Sequence, residues 1–133
     1  MKHAEKLISR ILFLEGEPDV QTLPFYQALN PQEQQGVTVI LNRGCGGCHT
    51  IPNIPGATGT IGPNLGPNGD IPPVSGRKTI ASGVVPNASP ADLAKWIIDP
   101  PSLKPGTAMP KLGLSPDEAA AAAAYLYSIQ PGP

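Results

Sequence analysis

Two cysteines and a histidine lie within five consecutive residues, Cys45-Gly46-Gly47-Cys48-His49. Two thiols at this spacing can add across the two vinyl groups of one haem, and the histidine that follows is left beneath the iron as its proximal ligand. The chain has no other cysteine. The motif therefore predicts a single, covalently bound haem of the c type.

Three other chemistries use a similar pair of cysteines. Half of a zinc site would need a second pair of ligands, and the only other histidine of the chain is His3. A thioredoxin-like redox pair would require a βαβ frame, of which the sequence shows no sign. A plain structural disulfide is the third alternative. The haem interpretation is preferred because the residues that follow the motif agree with it.

Few side chains are available as a sixth ligand for a low-spin iron. Met109 lies in a segment flanked by prolines, Lys104-Pro105-Gly106-Thr107-Ala108-Met109-Pro110, and the only other methionine is Met1. A thioether suits an iron that transfers electrons. A methionine beside a proline can also serve only to pack a loop. A haem motif 60 residues upstream makes ligation by Met109 the preferred interpretation.

Composition and charge restrict the class of protein. The chain has 133 residues, enough for one domain, and aromatic residues make up only 5% of it. Such a small aromatic core favours a further stabilising group, for example a covalent cofactor. The net charge of −1 does not favour nucleic-acid binding. We find no apolar run long enough to span a bilayer and no signal peptide, and therefore expect any export signal to lie outside this sequence.

Helix-start residues and apolar periodicity predict an all-α chain. Helices are expected over residues 3–14, over 31–43, between Ser89 and Asp99, and over 116–129. A connector is predicted over 17–29, and a long loop rich in Gly and Pro begins at Thr50. The chain is thereby divided into an N-terminal amphipathic helix with its connector, 1–29, and a domain, 30–133.

Residues 31–130 resemble a class I c-type cytochrome, and within that family the cytochrome c domain fused to subunit II of some haem-copper oxidases. The shared motifs follow the family's order: Cys-Gly-Gly-Cys-His-Thr-Ile at 45–51, Gly-Thr-Ile-Gly-Pro-Asn-Leu at 59–65, residues 77–81, 85–87 and 93–100, and the segment 104–110. The resemblance implies the class I cytochrome c fold, with three to four helices around one haem c. Gly36 and Tyr125 resemble the residues at which the family's first and last helices cross.

The resemblance also implies the ligands of the cofactor. Cys45 and Cys48 would hold the two thioethers, and His49 and Met109 would be the axial ligands of the iron. The Pro63 carbonyl would accept the proton of His49 Nδ1, which fixes the ring and raises its basicity.

Three further side chains would contact the haem. Leu65 would pack on its face, while Trp96 and Arg77 would lie beside its propionates. Core packing is the plain alternative for Trp96, and a solvated surface position is the alternative for Arg77. The segment between Leu65 and Ser75 is several residues longer than the family's usual connection, which bears most on Arg77 and Ser75.

Residues 1–23 resemble a different family, bacterioferritin, around the helix that supplies its haem methionine and a di-iron histidine. Met1 and His3 would occupy those positions. The carboxylate that should precede Met1 is absent, and so is the rest of a four-helix bundle. Iron storage is therefore not expected, and we interpret the segment as an amphipathic helix that packs on the domain or on a partner.

The sequence predicts an electron carrier rather than an enzyme, because a histidine and a methionine fill both axial positions and keep substrates from the iron. The expected partners are redox proteins, met in the periplasm or at the outer face of a membrane. The alternative is a subunit or module through which electrons enter a larger respiratory or photosynthetic membrane complex. A haem gas sensor or peroxidase would need an open sixth position and is less favoured.

Overall fold

The computed structural model describes residues 19–67 and 89–130. The helix predicted over 3–14 and the motifs at 77–81 and 85–87 lie outside these residues. Within them the chain forms five α-helices and no strand: α1 Pro24–Gln27, α2 Pro31–Asn42, α3 Pro90–Ile98, α4 Pro100–Leu103 and α5 Pro116–Ser128. The fold class is all-α, as predicted.

The longer helices form where their start residues predict them, because each start satisfies its own free backbone N–H groups. Asn30 precedes α2 and accepts a hydrogen bond from the Glu33 N–H at 2.8 Å, while the Glu33 carboxylate accepts one from the Asn30 N–H at 3.0 Å. Ser115 and Glu118 form the same reciprocal pair at the start of α5. Two helix boundaries were therefore readable from four residues.

The predicted connector over 17–29 is partly helical in the structure. A 3₁₀ turn, Val20–Thr22, leads into α1. The ring of Phe25 meets the ring of Tyr125 edge to face, with centroids 6.4 Å apart. Three neighbours also pack against the core, namely Val20, Tyr26 and Leu29. Elements of three or four residues carry no readable periodicity, and contacts such as that with Tyr125 stabilise them.

Gly36 and Tyr125 lie where α2 and α5 cross. A Cβ at Gly36 would overlap the carbonyl oxygen of Ala121 and lie 3.0 Å from Cβ of Tyr125, so the two backbones approach to a distance that only glycine permits. Tyr125 is fully buried, and its hydroxyl donates to the Pro52 carbonyl at 2.9 Å. The predicted crossing is confirmed at both residues.

The helix α3 packs against α5 and buries the face that carries Leu93, Trp96 and Ile97. Asp99-Pro100 ends α3, as predicted. The chain nevertheless continues at once into α4, a single turn that the sequence did not indicate. Trp96 and Ile97 also line a cavity, to whose wall α2 and α5 contribute further residues.

Candidate functional site

The segment Cys45–His49 follows α2 through a tight turn. Gly44 adopts a left-handed conformation with φ of 71° and ends the helix. A 3₁₀ turn over Cys45–Gly47 follows, and the His49 N–H donates to the Cys45 carbonyl at 3.0 Å. The turn places both thiols and the imidazole on the wall of one cavity.

Both cysteines are free thiols in the structure and are half-buried. Burial raises the pKa of the Cys45 thiol above its usual value. The two sulfur atoms are not joined in the disulfide that was one alternative for this pair.

The chain at residues 57–59 packs directly against the cysteine motif. A Cβ at Gly46 would lie 2.6 Å from Cα of Ala57, and a Cβ at Gly59 would lie 2.5 Å from the carbonyl carbon of Gly47. The Gly59 N–H donates to the Gly46 carbonyl at 3.0 Å. A Cβ at Gly47 would meet nothing within 4 Å. The two glycines of the motif therefore have different surroundings, which the sequence does not reveal.

The imidazole of His49 is held by two consecutive residues. Its Nδ1 lies 2.7 Å from the carbonyl oxygen of Pro63, and because a carbonyl only accepts, Nδ1 carries the proton. A Cβ at Gly62 would lie 2.8 Å from Nδ1 and 3.0 Å from Nε2, so the ring lies against the backbone of Gly62. The remaining nitrogen, Nε2, is the one left free for a metal. The contact with Gly62 was not predicted from the sequence.

A mostly apolar cavity of about 320 Å³ adjoins these groups. Seven of the eight predicted site residues line it, namely Cys45, Cys48, His49, Pro63, Leu65, Trp96 and Met109. The eighth, Arg77, lies outside the described residues. Trp96 is 8% exposed, and it belongs to the core while it also faces the cavity.

The segment that bears Met109 forms its own turn after α4. The Thr107 N–H donates to the Lys104 carbonyl at 3.1 Å, and the Met109 N–H donates to the Thr107 hydroxyl at 3.3 Å. Gly106 between them has φ of 85°. Met109 is half-buried against the core and lines the cavity with His49. Residues 60 positions apart thus share one site.

Arg43, like Gly62, lines the cavity although the sequence did not indicate it. It follows the C-terminal end of α2. Its guanidinium donates to the Leu112 carbonyl and to the Glu118 carboxylate, 69 and 75 residues further along the chain. A basic residue at a helix end is common, so this position carried no signal of its own.

A family model described as cytochrome c matches residues 33–130. The chain belongs to the cytochrome c family. No curated protein and no solved structure gives a significant match. The protein is therefore a c-type cytochrome, which transfers electrons through covalently bound haem c. The comparisons do not extend this to the oxidase subunit II domain or to bacterioferritin.

The cavity residues of this cytochrome fit haem c. Thiols at positions 45 and 48 followed by an imidazole with Nδ1 already bonded are the groups that covalent attachment of such a haem uses, and the thioether of Met109 lines the same cavity. Among the residues that the structure describes, no group of three or more His, Cys, Asp or Glu side chains could hold a metal ion. The same residues include no helix long and apolar enough to cross a membrane.

Proposed function

We propose that this cytochrome carries single electrons with His49 and Met109 as the two axial ligands of its haem iron. The observation that supports the proposal is that both motif cysteines, His49 and Met109 line the same cavity. Over residues 19–67 and 89–130, His49 is the only histidine and Met109 the only methionine. This part of the chain therefore offers one strong nitrogen donor and one thioether.

Haem c supplies the one-electron couple between ferric and ferrous iron. The chain sets the conditions for that couple. The bond from His49 Nδ1 to the Pro63 carbonyl raises the basicity of Nε2. A more basic imidazole stabilises ferric iron and lowers the reduction potential. A thioether from Met109 and the apolar cavity wall raise it. A protein group in each axial position leaves no place for a substrate, so the role is that of a carrier.

Substitution of Met109 tests the ligation. Met109→Leu conserves volume but removes the sulfur, so the ferric protein should lose its sulfur-to-iron charge-transfer band. Met109→His should stay six-coordinate and low-spin with a lowered potential, because imidazole donates more strongly to ferric iron than a thioether does. Met109→Ala should become partly high-spin and bind carbon monoxide.

The control is Leu112→Ala, which alters the same cavity wall without removing a donor. Each variant is also made in a chain that lacks residues 1–18, which removes Met1 and His3 but retains Val20 at the core. A charge-transfer band that persists in Met109→Leu in this shortened chain would show that Met109 is not the ligand.

A redox partner is proposed to dock at the cavity rim, which consists of the cavity-lining residues that are also exposed. Ile61 is 76% exposed, and Pro63, Ala108 and Pro110 are likewise apolar, whereas Lys104 brings a positive charge. This chemistry suits a partner with an apolar contact and an acidic margin. We place the encounter outside the cytoplasm, in the periplasm or at the outer face of a membrane, as is typical of the family.

The apolar character of this rim favours a second candidate, a module through which electrons enter a larger respiratory or photosynthetic membrane complex. Long-lived interfaces are more apolar than transient ones. Native purification separates the two. A carrier would be recovered free of membranes in low salt, and a module would sediment with a membrane complex until detergent releases it.

A further inference from the structure

Arg43, the residue after α2, makes contacts that neither haem attachment nor the proposed axial ligation explains. Its Nη1 donates to the carbonyl oxygen of Leu112 at 3.1 Å. Its Nη2 lies 3.1 Å and 3.3 Å from the two carboxylate oxygens of Glu118. The side chain lines the cavity and is 34% exposed. The guanidinium therefore connects three separate parts of the chain.

The bond to Leu112 joins the chain segments that bear the two proposed axial ligands. Arg43 stands six residues before His49, and Leu112 stands three residues after Met109. Apart from the bond of the Thr107 N–H to the neighbouring Lys104 carbonyl, the bond from Arg43 to Leu112 is the only hydrogen bond of the described residues that reaches the main chain of 105–114 from outside that segment. The other polar tie is the side-chain pair of Lys111 with Asp99, at 3.7 Å.

Glu118 holds the guanidinium in the orientation that this bond needs. Its carboxylate also accepts the Ser115 N–H at 3.0 Å and is thereby anchored to the start of α5. The Ser115 N–H and Arg43 together keep the pKa of Glu118 below its usual value, so the carboxylate is charged at neutral pH. A planar guanidinium can serve a carboxylate and a carbonyl at once, which a lysine ammonium on a flexible stem does less well.

We propose that Arg43 is a positioning residue for Met109, holding the segment 105–114 through Leu112 against the turn that bears His49. This inference rests on the proposed ligation by Met109. Without Arg43, the segment keeps its apolar contacts, the local bond between Thr107 and Lys104 and the exposed Lys111 pair, but no hydrogen bond to the turn that bears His49, so the Met109 sulfur leaves its place more often. An external ligand then competes more successfully for that place.

The test is the affinity of the ferric protein for imidazole, followed by loss of the sulfur-to-iron charge-transfer band. Loss of a hydrogen bond from a charged donor weakens the hold on the 105–114 segment. We therefore expect the Arg43→Ala protein to bind imidazole about tenfold more tightly than the parent does. Arg43→Lys should fall between Arg43→Ala and the parent, since it keeps the charge and part of the reach. Glu118→Gln should stay near the parent, because the amide still accepts and the bond to Leu112 is retained.

A matched control separates positioning from general loss of stability. Phe25→Ala removes the edge-to-face contact with Tyr125, and neither of these residues makes a hydrogen bond to Arg43 or Leu112, so this variant should lower the melting temperature without tightening imidazole binding. If Phe25→Ala and Arg43→Ala tighten binding equally at equal stability, the positioning role is overturned. Equal imidazole affinity in parent and Arg43→Ala, with the band intact, overturns it too.

Two other results remain informative. If Arg43→Ala does not fold, Arg43→Lys carries the test, since it keeps the stem that packs at the cavity wall. If the parent itself shows no charge-transfer band, the ligation by Met109 fails, and the positioning role fails with it. A band in the parent with no effect of Arg43 leaves the ligation standing and removes only the positioning role.

Discussion

The Nδ1 of His49 lies 2.7 Å from the Pro63 carbonyl oxygen, and the same imidazole rests on the backbone of Gly62. Two consecutive residues thus determine both the tautomer of the ring and its plane. The Gly62 N–H in turn donates to the Cys48 carbonyl at 2.7 Å, which ties this peptide back to the cysteine motif. Because His49 is a proposed axial ligand, small changes at Gly62 should alter the properties of the iron.

Gly62→Ala should raise the reduction potential. The added Cβ would meet the imidazole, so the ring or the peptide must shift and the bond to Pro63 must lengthen. A weaker bond lowers the basicity of Nε2 and stabilises ferric iron less. We also expect the free energy of unfolding to fall by about 1–3 kcal/mol from overpacking. Voltammetry and denaturant unfolding measure the two effects. Ile61→Ala, at the exposed neighbour, is the control, and equal potentials in the two variants would contradict the assignment.

Gly46→Ala and Gly47→Ala should differ although they change adjacent, identical residues. A Cβ at position 46 would lie 2.6 Å from the Ala57 backbone, whereas one at 47 meets nothing within 4 Å. Gly46→Ala should therefore lose about 1–3 kcal/mol of stability, and Gly47→Ala should stay within about 0.5 kcal/mol of the parent. Chemical denaturation of the haem-loaded proteins measures the difference. Equal stabilities would mean that the 57–59 segment does not press on the motif.

Tyr125→Phe and Tyr127→Phe form a second matched pair. The Tyr125 hydroxyl donates to the Pro52 carbonyl, whereas the buried Tyr127 hydroxyl has no hydrogen-bond partner within the part of the chain that the structure describes. Tyr125→Phe leaves a carbonyl unpaired and should cost about 1–3 kcal/mol, while Tyr127→Phe should be neutral or stabilising. Thermal unfolding at neutral pH tests the order. A larger loss for Tyr127→Phe would contradict it.

The stability of the parent should also fall in alkaline solution. Burial raises the pKa of Tyr125, so the native state holds this proton more tightly than the unfolded chain does. The stabilisation is complete below the ordinary tyrosine pKa of about 10 and is lost as the pH rises through the raised value. Tyr125→Phe should show a shallower alkaline decline of unfolding free energy. An unchanged slope would remove Tyr125 as its source.

Lys104→Glu should slow electron transfer to an acidic redox partner more than Lys111→Glu does. Lys104 is exposed and lines the cavity, whereas Lys111 lies 3.7 Å from Asp99, which offsets part of its charge. Exposed charges act mainly on the rate of encounter. Stopped-flow measurement at low salt should give different electron-transfer rates for the two variants. The difference should shrink as salt is added, because the Debye length falls to about 10 Å at an ionic strength of 0.1 M. Equal rates at low salt would move docking away from this rim.

The local elements of this protein were readable from its sequence. Capping bonds join residues three positions apart and depend on no distant contact. Helix starts are therefore predicted by two local pairs, Asn30 with Glu33 and Ser115 with Glu118. The Cys45–His49 spacing specifies its cofactor for the same reason, since thioether formation needs only the reach of neighbouring side chains. The family resemblance extended this reading to Pro63 and Met109.

Other contacts between distant segments, which neither the local patterns nor the resemblance predicted, were decided by the tertiary structure alone. Gly46 and Gly47 are chemically identical, and only the approach of Ala57 distinguishes them. Arg43 reads as an ordinary helix-end cation until α5 brings Glu118 beside it and Leu112 within 3.1 Å. The single turn α1 is likewise stabilised by the contact of Phe25 with Tyr125, 100 residues downstream. In each case the deciding energy comes from close packing or from a hydrogen bond across the fold, which no local pattern encodes.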